Sequence, residues 1–415
     1  MKFPRLLMKA ASAAAVVALA SSTPAVAQNY APSSTSSAAL GSSTYDGLPL
    51  SSMDPAYDIP ASLLVELSKQ PGNIHHLNNL YRAFHKLSPD ARLPIPNIWG
   101  TQTPYTQDKE RDIAEPKLIK REPDERFDVE RLYIESPAMR RTVQVQIQYP
   151  KDRTTPAPML YMLDGVSAPR QSGWLREGDI QGALANEHVT AVMPGEAMGT
   201  NYTDWVKTHP YIGRSMWETF MTQELPQVLE TQTGIPFNGE RYIGGLSMGG
   251  SGAARLANLH PDLYSGVFSV SGCYSTTSTV GREFFNFTVM ATGGDPDYMW
   301  GRGDTPERLR ADIVRNPQGI ASMPAYFFAS DGAINPDDYN DYREDGAISL
   351  MGGSVLEIMS GQCTKDLENS IKSKGLMTDQ IEFDFQPGNV HDWPYYKRQM
   401  PVGWQSITQG KYTYQ

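Results

Sequence analysis

The chain has 415 residues, enough for one large or two ordinary domains. Its 46 acidic residues against 36 basic ones give a formal net charge of -10. That balance excludes a nucleic-acid surface, which needs clustered Lys and Arg.

The first 27 residues read as a secretory signal peptide. Lys2, Arg5 and Lys9 form a positive n-region, residues 10–20 are a short Ala/Val-rich apolar core, and Ala25-Val26-Ala27 is a cleavage signal. A bilayer span takes about 20 apolar residues, so this core is too short to be an anchor. The mature protein is expected to be secreted or held in the cell envelope. Residues 28–57 are rich in Ser, Thr, Ala and Pro and read as a flexible linker. Residues 58–128 are expected to be a helical, then irregular, N-terminal extension. Residues 61–67 and 77–87 have helical apolar spacing on either side of a Pro71-Gly72 turn. His75, His76 and His85 lie here without a Cys or carboxylate at ligand spacing, so they read as surface or packing histidines, and no metal is expected. Residues 92–128 carry many prolines and two mixed charge runs, the pattern of a solvated connector.

The main domain is expected over residues 129–415. Residues 142–149 alternate polar and apolar, which predicts a strand with one wet face at a sheet edge or in an antiparallel pair. Residues 158–163, 189–194, 266–270 and 325–330 are short apolar runs, read as buried strands. Residues 215–231 have helical spacing, and residues 380–385 alternate again. Strands alternating with helices predict an α/β fold with a mostly parallel sheet covered on both faces.

One stretch carries chemistry. Gly245-Leu246-Ser247-Met248-Gly249 follows the apolar Tyr242-Ile243 and precedes a helical run at residues 252–259. This is the G-x-S-x-G nucleophile elbow, in which a strand turns sharply into a helix with the serine at the tip. A serine hydroxyl is a weak nucleophile at neutral pH and needs a base, itself oriented by an acid. Downstream of Ser247 there are two histidines. His260 sits where the elbow helix ends and reads as a helix-end residue. His391 follows the last alternating strand, where the base of an α/β-hydrolase belongs. The acid is left open by spacing. Asp331, directly after a strand, fits the general pattern, and Glu357 and several other carboxylates lie between it and His391. Oxyanion donors are expected from the N–H of Met248 and from the turn Leu163-Asp164-Gly165-Val166. In an exported chain, Cys273 and Cys363 suggest one disulfide.

These residues, taken in order, resemble the antigen-85-type mycolyltransferases. The resemblance covers about residues 129–404. It rests on Leu132-Tyr133-Ile134-Glu135-Ser136-Pro137, Tyr161-Met162-Leu163-Asp164-Gly165, Asn201-Tyr202-Thr203-Asp204-Trp205, the elbow and His391-Asp392-Trp393-Pro394-Tyr395-Tyr396. It implies an α/β-hydrolase fold without cofactor, with Ser247 as nucleophile and His391 as base. The Leu356-Glu357 pair matches the family's acid, so the resemblance favours Glu357 over Asp331. It places the oxyanion donors at Val166 and Met248, and sugar contacts at Asp164 and Trp393. Where the family has Leu-Arg, this chain has Val166-Ser167, with Arg170 nearby; the acceptor is therefore open. The cysteine pair resembles the corynebacterial branch.

The implied activity is transfer of a mycolyl group from trehalose monomycolate to trehalose monomycolate, arabinogalactan or a protein serine. The implied partners are trehalose mycolates and cell-wall glycan, with the protein peripheral to the outer lipid layer. A secreted carboxylesterase using water, and a non-catalytic wall-binding protein, are the alternatives. The sequence does not fix the oligomeric state.

Overall fold

Strands that are apolar on both faces must be covered on both faces, and the arrangement follows from that. The computed structural model describes residues 110–210, 212–338 and 346–414, with a separate two-residue strand pair at Thr44–Tyr45 and Leu48–Pro49. The expected signal peptide, the helices at 61–67 and 77–87 and the three N-terminal histidines lie outside the described residues.

Nine strands form one sheet: β1 Lys117–Asp124, β2 Val129–Ser136, β3 Arg141–Gln148, β4 Ala157–Leu163, β5 Thr190–Pro194, β6 Phe237–Leu246, β7 Gly266–Val270, β8 Ala325–Ser330 and β9 Ile381–Gln386. Their order is β9-β8-β7-β6-β4-β5-β3-β2-β1. From β9 to β5 all pairs are parallel; β3, β2 and β1 add antiparallel strands at one side. The principal helices are α1 Leu225–Gln232, α2 Met248–Leu259, α3 Thr279–Met290, α4 Gly346–Ser373 and α5 Trp393–Thr408. This is the α/β-hydrolase fold.

Strand alternation divides the apolar residues between two cores. In β4, Met159, Tyr161 and Leu163 join Met248, Leu256, Phe284 and Met359 of α2, α3 and α4 on one face. Leu160 and Met162 join Met400 and Trp404 of α5 on the other. The last residues close the second core. Trp404 Nε1 donates to Glu187 at 2.9 Å, and the backbone of His188 and Tyr414 bonds across to Tyr412 and Asn186 at 2.7 and 2.8 Å.

Two expectations are corrected. The connector expected over 92–128 contains β1, which pairs antiparallel along β2, so the sheet begins before Val129. The charges of residues 117–122 belong to an exposed edge strand, where they block pairing with other chains. Strand β3 is antiparallel, as expected, but its polar face is not wet. Gln144 and Gln146 are buried: Gln144 Nε2 donates to Arg170 O at 2.9 Å, and Gln146 Oε1 accepts from Ser172 N at 2.8 Å. The alternation that reads as solvent exposure is a row of side chains holding the loop after β4. The helical region at 215–231 is interrupted by a π-helical turn at Phe220–Glu224.

Cys273 and Cys363 form a disulfide, with Cα atoms 4.8 Å apart and a sequence separation of 90. It joins the segment leaving β7 to α4. Closing a loop of that length removes about 4.6 kcal/mol of unfolded-state entropy in the chain-entropy model. Cys273→Ser with Cys363→Ser should therefore lower the Tm by about 10 °C, measured by calorimetry; an unchanged Tm would contradict this account.

Candidate active site

Ser247 stands between β6 and α2 with φ 52° and ψ -122°, a left-handed conformation that a side chain resists. The surrounding contacts enforce it. A Cβ on Gly245 would lie 2.5 Å from the carbonyl carbon of Gly249, and one on Gly249 would lie 2.3 Å from the carbonyl oxygen of Leu163. Strand, helix and the end of β4 thus meet at backbone contact, which only glycine permits. Ser247 N donates to Val270 O at 2.8 Å, completing the ladder to β7.

The loop after β9 brings His391 to this serine. His391 Nε2 is 2.7 Å from Ser247 Oγ, and Nδ1 is 2.8 Å from Glu357 Oε2. Glu357, on α4, is 1% exposed. A carboxylate that deep requires donors. Its Oε1 accepts from Ser271 Oγ at 2.9 Å and Ser330 N at 2.8 Å, so both oxygens are satisfied. Asp331 does not reach His391's ring by any bond. Its Oδ1 accepts from the N–H of Ala333 and Gly388 at 2.9 and 2.8 Å, which shapes the histidine loop. His391 N also donates to Gly353 O at 3.1 Å. His260 caps α2 and lies 2.8 Å from Glu218, away from this line, as its helix-end reading implied.

Ser271 and Ser330 are the site residues that sequence reasoning missed. Ser271 closes β7 with φ 53°, and its carbonyl accepts from Ser360 Oγ at 2.8 Å. Cys273 N donates to Ser251 Oγ at 2.8 Å, and Ser251 Oγ donates to Ser247 O at 3.0 Å. One short segment therefore bonds to the helix of the serine and to the helix of the acid, with the disulfide at its end. The only trace in sequence is a Ser-Gly pair after a strand, too common to interpret.

Met248 opens α2, so its N–H is among the first four that lack an intrahelical acceptor. The turn Gly165-Val166 lies beside the serine: a Cβ on Gly165 would be 3.7 Å from Ser247 Cβ. Val166 O accepts from Gly199 N at 3.0 Å.

Asp164 and Trp393 converge next to them. A Cβ on Gly173 would lie 2.3 Å from the Trp393 ring and 3.1 Å from Asp164 Oδ1. The Tyr396 ring contacts both His391 and Trp393, at 5.4 and 5.8 Å between centroids. Asp164 Oδ1 accepts from Gly173 N at 2.9 Å, while Oδ2 is buried without a hydrogen-bond partner. Burial pushes the Asp164 carboxyl up to about 7, partly opposed by Ser172 and the Gly173 N–H. Arg170, in the same loop, is held by Glu196 at 2.8 Å and is mostly exposed. No group of three or more His, Cys, Asp or Glu among the described residues is placed to hold a metal.

A serine in a left-handed elbow, hydrogen-bonded through a histidine to a buried glutamate, on a mainly parallel sheet, is the arrangement of the α/β-hydrolase-fold esterases and acyltransferases. The family model described as Putative esterase matches residues 136–406. The diacylglycerol acyltransferase/mycolyltransferase Ag85A of Mycobacterium ulcerans is 34% identical over 66% of this chain and 78% of its own length. Its counterpart in Mycobacterium leprae is 27% identical over 66% of this chain and 80% of its own. The chain belongs to the antigen-85-type mycolyltransferase family. The crystal structure of MPT51 from Mycobacterium tuberculosis shares the fold, with a TM-score of 0.55 at 23% identity, over 67% of this chain and 96% of that one.

Two measurements test the site. Glu357→Gln should lower kcat by about 10³- to 10⁴-fold, as loss of the orienting acid does elsewhere, while Asp331→Asn should stay within about threefold of the parent. Comparable losses in both would defeat the geometric assignment. Asp164 gives a pH signature. Its carboxyl sits at about 7 folded against 3.8 unfolded. The folded state therefore holds the extra proton between those values, and stability falls as pH rises from about 4 to 7, by at most about 4 kcal/mol. Denaturant titrations from pH 4 to 8 should show this slope flattened in Asp164→Asn; parallel curves would refute it.

Proposed function

We propose that the protein is an envelope acyltransferase that moves a mycolyl group from trehalose monomycolate, through an ester on Ser247, to an acceptor hydroxyl. The observation that carries this reading is the hydrogen-bonded line from Ser247 through His391 to Glu357. Family membership supports the acyl-transfer chemistry.

In the first half-reaction the Ser247 hydroxyl gives its proton to His391 Nε2, and Oγ attacks the ester carbonyl. Glu357 accepts from His391 Nδ1–H and stabilises the imidazolium that forms. The N–H groups of Val166 and Met248 receive the oxyanion. The intermediate collapses, and His391 returns the proton to the departing trehalose oxygen. In the second half-reaction the acceptor hydroxyl gives its proton to His391 and attacks the acyl ester. Ser247 then leaves with that proton. No cofactor enters the balance.

Asp164 and Trp393, one polar and one aromatic, are placed together beside His391, a pairing suited to a sugar ring. Residues 1–27 as an export signal would deliver the enzyme to the envelope, where it would work peripheral to the outer lipid layer. Residues 129–415, extended by β1, form the proposed catalytic unit. The corynebacterial placement rests on the Cys273–Cys363 pair.

The test uses protein starting near Gln28, incubated with trehalose monomycolate and read by mass spectrometry beside a Ser247→Ala control. A mycolyl adduct on Ser247 and a doubly acylated trehalose, or acylated glycan or protein when these are supplied, are the expected products. Free mycolic acid alone would instead establish an esterase. Absence of any adduct would overturn the catalytic reading.

A further inference from the structure

The loop after β5 contains two consecutive residues in left-handed conformation, Asn201 at φ 54° and Tyr202 at φ 48°. Neither is glycine, and a tyrosine there is an outlier that its surroundings must hold in place. The holding contacts are explicit. The Arg255 guanidinium, buried on α2, donates to Asn201 O. Asn201 Nδ2 donates to Thr288 Oγ1 at 3.2 Å, and Trp205 Nε1 donates to Thr200 O at 3.0 Å. A Cβ on Gly252 of α2 would be 3.0 Å from Tyr202 Cβ, so the tyrosine rests against the helix that follows Ser247.

The strained loop spends its own polar groups on the two segments that supply oxyanion donors. Tyr202 Oη accepts from Asp164 N at 2.9 Å, and Gly199 N donates to Val166 O at 3.0 Å. These two bonds bracket the Asp164-Gly165-Val166 turn from both ends. Asn201 N meets Met248 Sδ at 3.3 Å. Tyr202 itself is fully buried and touches neither Ser247 nor His391 through any hydrogen bond.

From this we infer that Tyr202 is a positioning residue for the oxyanion site: its phenol oxygen fixes the Asp164 N–H and so aims the Val166 N–H at the reacting carbonyl. The inference rests on Val166 and Met248 being the oxyanion donors of the proposed reaction. Arg255 acts one step further out, by locking the left-handed backbone that presents the phenol. Ala168 N to Gly165 O at 3.1 Å and Gly199 N to Val166 O at 3.0 Å hold the far side of the turn; the bond to the Tyr202 phenol fixes its Asp164 end.

The test is Tyr202→Phe, which keeps the ring and removes the acceptor. Turnover of a p-nitrophenyl acyl ester, normalised to sites titrated with a fluorophosphonate, should lose about 10- to 100-fold in kcat, with KM within twofold, because an oxyanion donor and its alignment matter in the transition state. The inhibition constant for an alkyl trifluoromethyl ketone, whose hemiketal anion needs the same donors, should weaken by the same factor as kcat/KM. A residue that only stabilises the fold would lower the Tm and leave both quantities per titrated site unchanged; that result overturns the inference. Should Tyr202→Phe not be recovered folded, Arg255→Lys probes the same loop, with an expected loss of about fivefold in kcat and a parallel weakening of the ketone. Ser247→Ala, run alongside, separates the two levels. Residual turnover there would remove the proposed reaction itself, whereas a dead Ser247→Ala with an unimpaired Tyr202→Phe removes only the role of Tyr202.

Discussion

The structure depends on one close approach, where α2 lies against the ends of β6 and β4 at backbone distance. Gly245 and Gly249 are the residues that allow it, and Ser247 takes its left-handed backbone because the chain has no wider path between them. The same approach places the serine beside the turn after β4. Ser247 and the turn after β4 are therefore one geometric unit. A larger residue at position 249 would push them apart together.

Around that unit the protein invests in buried polar groups, each of which needs a partner. The β4 turn is held by Tyr202 and Gly199, and the loop beyond it by Gln144 and Gln146. Glu357 is held by a serine hydroxyl, a backbone N–H and the histidine. Asp164 Oδ2 and Gln146 Nε2 are buried without a partner.

The elements most readable from sequence were those whose pattern had one physical cause. The continuous apolar runs of β4, β5, β7 and β8 became central strands, because no other environment suits them. The elbow announced itself through glycines with no packing role elsewhere, and His391 followed from chain order. The acid did not follow from spacing, since a dozen carboxylates precede His391 and only folding brings α4 under it; resemblance, not pattern, singled out Glu357. The wet face assigned to β3 was wrong because glutamine reads as exposed unless its partner loop is known. β1 was lost among charges and a proline, which an edge strand tolerates and a central one does not. Ser271, Ser330 and Tyr202 act through single bonds across 86, 27 and 38 residues, for which local sequence holds no sign.

The segment after β9 has a consequence for the order of assembly. His391 precedes α5 by two residues, and α5 seats against Glu187 while the strand-like tail at Tyr412 and Tyr414 bonds to residues 186–188. Ser247 lies 144 residues before His391 in the chain. Without α5 docked, the histidine has no fixed position over the serine. The contact between Ser247 and His391 therefore depends on the seating of α5 as well as on the elbow.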